Sequence, residues 1–449
     1  MTENNGGLRL GFIAAARTTF DMPLASETTQ RARRALESAG FVLLGPAEMA
    51  STPEEAAGAI QEIAAQSPDC VVLFQATFAD STMAQAVARG SDVPLVLWAV
   101  PEQPTGGRLR LNSYCGVNLA AHALRRAGLP YEPIYSSPDD PAVPARLREV
   151  AKAGRIIRRL QGGRIGRVGT NPDGFDSCLT DAGLLNDRLG VEVIQFELDT
   201  IFAEVKRLGQ ADIGPVREEL SQRISGLAEM DRAATDKTLG SYLVLRRLAE
   251  QNRLDGFAVR CWPQFFTELG CAACGALSLL SEELIPASCE CDVNGVITQL
   301  ILQAVAEDPV FDTDIVAVDE ENDAVVFWHC GKAPLSMADP AETALATVHS
   351  NRQMPLLLEF PLKPGPVTIC RLSAATGDFR LVLGRGEMIR AEKSFGGTSG
   401  RCRFEKPAKE FMERMLGHGL EHHVALAYGD SLSTLRTLAR WLQLPVLEL

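Results

Sequence analysis

The runs Cys70-Val-Val-Leu-Phe74 and Val93-Pro-Leu-Val-Leu-Trp-Ala-Val100 decide how the first part of the chain folds. Both are unbroken apolar stretches of strand length, the pattern of parallel strands covered by helices on both faces. Around them the sequence predicts a strand over 8–14 and helices over 29–38, 53–66 and 118–127, with Gly40 and Gly128 as stops and Pro53 in a first turn. Strands alternating with helices in this way predict a doubly wound α/β domain.

Outward from this core, the Pro-rich stretch 131–144 reads as a linker, after which strand and helix signals alternate again from 164 to about 280. Beyond Asp323 the texture changes to short strands at 355–360, 367–372, 379–383 and 388–391, separated by Gly-containing turns and followed by helices at 408–416 and 431–442. The predicted architecture is two doubly wound α/β domains, 1–155 and 156–320, followed by a mainly antiparallel β-rich domain, 321–449. A chain of 449 residues is consistent with three domains at roughly 150 residues each.

Composition bounds the function. With 44 Lys and Arg against 57 Asp and Glu, the net charge of −13 argues against nucleic acid and anionic membranes as partners and favours a small molecule. Residues 1–7 are polar, without the basic and apolar regions of a secretory signal, and no apolar run approaches the ~20 residues that span a bilayer. Eleven cysteines, an odd number in a chain able to build its own cores, predict reduced thiols and a cytoplasmic location.

Three constellations carry chemistry. The segment 102–118 holds Glu102, Arg108, Arg110, Asn112, Ser113 and Asn118 among three glycines, a loop able to grip hydroxyl-rich or anionic groups or simply to cap the next helix. Cys271-x-x-Cys274 with Cys289-x-Cys291 has the look of a zinc site, though small thiols in an Ala-rich stretch more often pack as hydrophobes. The third is the sharpest. Glu290 and Asp292 end a short apolar strand, Asp314 opens another, His329 ends a third, and His422 and His423 precede a fourth. Strand ends let such groups converge, and carboxylates with imidazoles suit Mn²⁺, Mg²⁺, Co²⁺ or Zn²⁺. The structural alternatives are that Glu290 and Asp292 cap the following helix, that His329 is a core histidine beside Trp328, and that the His pair lies in a solvated turn.

Cys261-Trp-Pro263, Pro286-Ala-Ser-Cys-Glu290-Cys-Asp292, Asp314, Trp328-His-Cys-Gly331 and Glu421-His-His423 together resemble the L-fucose isomerase and L-arabinose isomerase superfamily. Arg17-Thr-Thr-Phe-Asp21 and Thr105-Gly-Gly-Arg-Leu-Arg-Leu-Asn112 are similar to its fucose isomerase-like subgroup, so the likeness covers the full chain. It implies a divalent ion, usually Mn²⁺, held by Glu290, Asp314 and a late His, with His423 favoured over His422. It also implies His329 as a further ligand, as in the arabinose branch. The implied activity is aldose–ketose isomerisation through a cis-enediolate, with Glu290 and Asp314 as base and acid, on a sugar that in this subgroup is sometimes sulfonated. Arg17, Asp21, Arg108 and Asn112 become candidates for holding the distal part of the substrate, and a homo-oligomer with active sites at subunit contacts is expected. Another metal-enediolate reaction on a sugar acid, such as epimerisation or decarboxylation, is the nearest alternative, and a non-catalytic sugar-binding protein a more distant one.

Overall fold

The computed structural model describes residues 7–449, which pack as two compact units. The first comprises the described residues up to Arg159 with Ser433–Gln443, and the second Leu160–Leu432 with Leu444–Leu449. No helix among the described residues is long and apolar enough to cross a membrane.

In the first unit, strands β1 (Arg9–Ala15), β2 (Val42–Leu44), β3 (Cys70–Gln75), β4 (Leu95–Ala99) and β5 (Glu132–Tyr135) form a parallel sheet in the order β2-β1-β3-β4-β5. Because successive side chains alternate faces, the apolar runs feed two cores at once. Phe12, Val72, Phe74 and Trp98 pack under α1 (Met22–Ser38) and α5 (Ala142–Leu160). Ile13, Val71, Leu73 and Leu97 pack under α2 (Pro53–Ala64), α3 (Ser81–Arg89) and α4 (Ser113–Arg126). The stretch 131–144 is therefore no linker: it supplies the edge strand and the start of α5, whose Pro144 sits in the first turn, where no helical N–H is lost. Near the C-terminus α13 (Leu432–Trp441) belongs to this unit, with Arg440 paired to the buried Glu132 and Ser433 Oγ donating to Glu149 Oε2 at 2.6 Å.

The second unit holds two sheets over one continuous core that joins Val168 and Phe257 to Phe311, Phe327 and Leu426. Strands β6 (Arg164–Val168), β7 (Glu192–Phe196), β8 (Gly256–Val259) and β9 (Ala287–Ser288) run parallel in the order β7-β6-β8-β9; the helices of this unit are α6 (Ala182–Leu189), α7 (Leu198–Arg207), α8 (Gln210–Ser221), α9 (Arg232–Asn252), α10 (Cys274–Glu282), α11 (Val293–Ala306) and α12 (Ala408–Gly417).

The other sheet contains β10 (Phe311–Asp319), β11 (Ala324–His329), β12 (Leu345–Thr347), β13 (Leu357–Pro361), β14 (Gly365–Ser373), β15 (Arg380–Ile389), β16 (Thr398–Phe404), β17 (His423–Tyr428) and β18 (Val446–Glu448). Antiparallel pairing runs β16-β11-β10-β17-β14-β15, and β15 pairs back to β16, so six strands close into a barrel. The two strands expected at 379–383 and 388–391 are one continuous β15. Glycine permits close approach here rather than a turn, since a Cβ on Gly386 would lie 2.4 Å from Cys402 Sγ and one on Gly384 2.9 Å from Ile369 Cγ1.

Candidate active site

Every C-terminal candidate lies in the second unit, at the meeting of β9, α11 and three barrel strands. Beyond the two-residue strand β9, Glu290 and Cys291 hold φ of 58° and 56°, consecutive left-handed conformations that cost non-glycine residues energy. Asn171 clamps this turn, its Nδ2 donating to the carbonyl oxygens of Glu290 at 2.9 Å and Cys291 at 3.2 Å. The turn aims the Glu290 side chain and delivers Asp292 to the N-terminus of α11.

Asp292 does cap that helix, accepting the Gly295 N–H at 2.8 Å, but it does more. Arg371 from β14 binds it with two nitrogens, at 2.6 and 3.1 Å, and His423 Nδ1 lies 3.0 Å from Oδ2. Burial pushes the Asp292 carboxyl upward; the Arg371 guanidinium and His423 outweigh it and hold the group well below the usual carboxylate range. An ionised Asp292 accepts the Nδ1 proton of His423 and turns the lone pair on Nε2 away from it.

That nitrogen faces a polar gap, with Cys289 Sγ 3.5 Å away. Strand register explains why: Asp314 on β10 stands directly opposite His423 on β17, so both side chains share one face. Asp314 Oδ1 is 3.5 Å from His423 Nε2, and Glu290 Oε2 is 3.9 Å from the same atom. Asp314 Oδ1 is buried and accepts no hydrogen bond.

His422 differs from its neighbour. Both ring nitrogens are engaged, Nδ1 with Ser177 Oγ at 2.9 Å and Nε2 with Glu290 Oε2 at 3.1 Å. Burial raises the Glu290 pKa, yet the His422 hydrogen bond and the neighbouring histidines leave it lowered overall, which favours the carboxylate. His329 is buried, its Nδ1 accepts the Cys330 N–H at 2.8 Å, and its Nε2 faces Cys289 Sγ at 3.1 Å. A neutral ring accepting at Nδ1 carries its proton on Nε2, so His329 presents a donor where His423 presents a lone pair. Behind them Asp312 and Lys332 form a fully buried ion pair.

The N-terminal candidates form a separate cluster in the first unit. Arg17 pairs with Asp80 at 2.7 Å, Asp21 caps α1 and pairs with Arg110 at 2.9 Å, and Arg108 donates to the Thr19 carbonyl at 3.1 Å. Asn112 precedes α4 with φ 55° and no side-chain cap; the Glu102 carboxylate instead gathers the backbone N–H groups of Arg110, Leu111 and Asn112.

Of the thiol constellation, Cys271, Cys274 and Cys291 join no group of three metal-capable side chains among the described residues, whereas Cys289 joins one, with His329 and His423. All eleven cysteines are free, and Cys291 donates to the Val168 carbonyl at 3.2 Å. Sequence reasoning missed Asn171, Ser177, Cys178, Lys332 and Arg371. Only Arg371 left a signal, a single cation inside the otherwise uncharged run Val367-Thr-Ile-Cys-Arg-Leu-Ser373.

Residues 11–161 match the family model of the fucose/sulfoquinovose isomerase N-terminal domain, and residues 327–449 that of the L-fucose isomerase C-terminal domain. A sulfoquinovose isomerase of Alkalicoccus urumqiensis is 33% identical over 98% of both chains. The chain belongs to the fucose/sulfoquinovose isomerase family. It is a sugar isomerase of the subgroup its motifs resemble. Other members of the family confirm the coverage: the sulfoquinovose isomerase of Priestia megaterium is 33% identical over 96% of this chain and 97% of its own, and that of a Clostridium species 28% identical over 97% and 98%. Glu290 and Asp314 fall between the two family-model matches, whereas His329, His422 and His423 fall inside the second.

Proposed function

We propose that this isomerase interconverts the aldose and ketose forms of a sulfonated hexose, sulfoquinovose being the first candidate, with a divalent cation held by Glu290, Asp314 and His423. The observation that carries the reading is the buried Asp314 Oδ1, without a hydrogen bond and 3.5 Å from His423 Nε2, the ring nitrogen that does not face Asp292. A buried carboxylate oxygen left bare is costly unless something positive completes it. Two carboxylate oxygens and one imidazole nitrogen form a donor set for a hard or borderline cation, and the family resemblance favours Mn²⁺.

Moving a proton between C1 and C2 requires a base at carbon and stabilisation of the neighbouring oxygens as they gain charge. When bound, the cation supplies that stabilisation as a Lewis acid. Glu290 is the candidate base, kept ionised by His422 and positioned by the strained turn at 290–291. Asp314 on β10 is the candidate acid, giving its own proton to the enediolate-type species while Glu290 keeps the one it removed, and the two carboxyl groups are reset by exchange with solvent. Asp292 and Arg371 hold His423 in the tautomer that ligation needs. His329 is assigned as a proton donor at the edge of the gap rather than as a ligand. Arg17 and Arg108 are assigned to the sulfonate, contributed by a neighbouring subunit in the oligomer that the resemblance implies.

The test is proton NMR of sulfoquinovose incubated with the protein in D₂O, before and after chelation and with Mn²⁺ restored. Ketose formation with solvent deuterium incorporated, lost on chelation and recovered with Mn²⁺, is expected. Full activity in metal-free protein overturns the cation assignment, and absence of isomerisation overturns the substrate.

A further inference from the structure

The gap has a soft side that a hard-cation isomerase does not need. Cys178 Sγ, Glu290 Oε2 and ring nitrogens of His422 and His423 all lie within 4.8 Å of one another. The Cys178 thiol donates to Glu290 Oε2 at 3.6 Å and sits 3.9 Å from His423 Nδ1. It is buried, and its carbonyl accepts from the same Asn171 amide that fixes the Glu290 turn, so its position is set with that of the carboxylate.

We propose that Cys178, Glu290 and His422 form a second, thiolate-containing binding mode for thiophilic cations such as Zn²⁺ or Cd²⁺, overlapping the hard-cation mode through Glu290. The observed spacings suit it. Tetrahedral ligation at about 2.3 Å to sulfur and about 2.0 to 2.1 Å to nitrogen or oxygen separates S from O by about 3.5 Å and N from O by about 3.3 Å. The structure has 3.6 Å between Cys178 Sγ and Glu290 Oε2 and 3.1 Å between His422 Nε2 and the same oxygen. Without a cation His422 Nε2 donates to Glu290; when one binds, Ser177 Oγ can accept from His422 Nδ1 at 2.9 Å, the tautomer that frees the Nε2 lone pair for the ion. On binding, the cation replaces the thiol proton, which leaves to solvent. Thiolate sulfur ranks Zn²⁺ and Cd²⁺ above Mn²⁺, so such ions would occupy Glu290 and exclude the hard cation. The inference rests on the function proposed above only in sharing Glu290.

Cadmium K-edge X-ray absorption of metal-free wild-type protein, loaded with one equivalent of Cd²⁺, decides it without substrate. One sulfur among nitrogen and oxygen ligands is expected, together with an ultraviolet thiolate-to-cadmium band. Cys178→Ser and Cys178→Ala should lose the sulfur and weaken Cd²⁺ by about 100-fold or more, beyond what losing an outer-shell partner costs. No sulfur in wild type, more than one sulfur, or a sulfur that persists in both variants overturns the site. If the sulfur signal is intact in a protein that neither binds Mn²⁺ nor isomerises sulfoquinovose, the proposed function falls and this site stands.

Discussion

The charged loops of the first unit and the polar gap of the second use the same residue types to opposite ends. In the loops, Arg17 meets Asp80, Asp21 meets Arg110, and Glu102 satisfies three backbone N–H groups, mostly with side chains open to water. In the gap, Asp292, Asp314 and His423 are held by strands and a helix, and Asp314 Oδ1 is left bare. Exposed pairs of the first kind are worth at most about 1 kcal/mol and rearrange easily. Groups of the second kind are fixed by their neighbours, the arrangement that the proposed cation would need already in place.

The contrast is sharpest at Glu290. Glu290→Gln keeps the size and removes the base, and a fall in kcat on the order of 10² to 10⁴ is expected in Mn²⁺-supported turnover of sulfoquinovose. Unchanged turnover would break the comparison outright. Next is Arg371→Met, which strands the buried Asp292 charge; a loss of about 3 to 5 kcal/mol in urea unfolding is expected, with Arg371→Lys in between. Asp314→Asn, which removes a proposed ligand, should weaken Mn²⁺ by about 100-fold or more in calorimetric titration while the fold persists. The smallest effect belongs to the loops. Asp21→Ala removes a helix cap and an exposed pair, and a small downward shift of the urea midpoint is expected. A large rise in KM from that substitution would show that Asp21 acts on substrate together with Arg17 and Arg108.

How much of this was legible in the sequence depends on how local the cause is. The parallel sheet was readable because Cys70–Gln75 and Leu95–Ala99 are apolar on both faces; of the residues expected at strand ends, His423 opens β17, Asp314 is the fourth residue of β10 and Glu290 lies two residues beyond β9. The edge strand within 131–144 was hidden by prolines that a sheet edge and a first helical turn both tolerate. The split between β15 pieces was a misreading of Gly384 and Gly386, whose cause is Ile369 and Cys402 on other strands. The different parts played by His422, His423 and His329 depend on partners up to 245 residues away, and no spacing rule reaches that far.

The closed ring around β10 also bears on which length changes the gene can tolerate. An open sheet absorbs an inserted residue by fraying at its edge, but β10 has β11 on one side and β17 on the other, and the ring has no loose end. One added or deleted residue between Phe311 and Asp314 would turn Asp314 to the opposite face and remove it from His423. Insertions in descendants of this chain should therefore collect in the hairpin ends, such as the turn 320–323, and spare the short stretch 311–314.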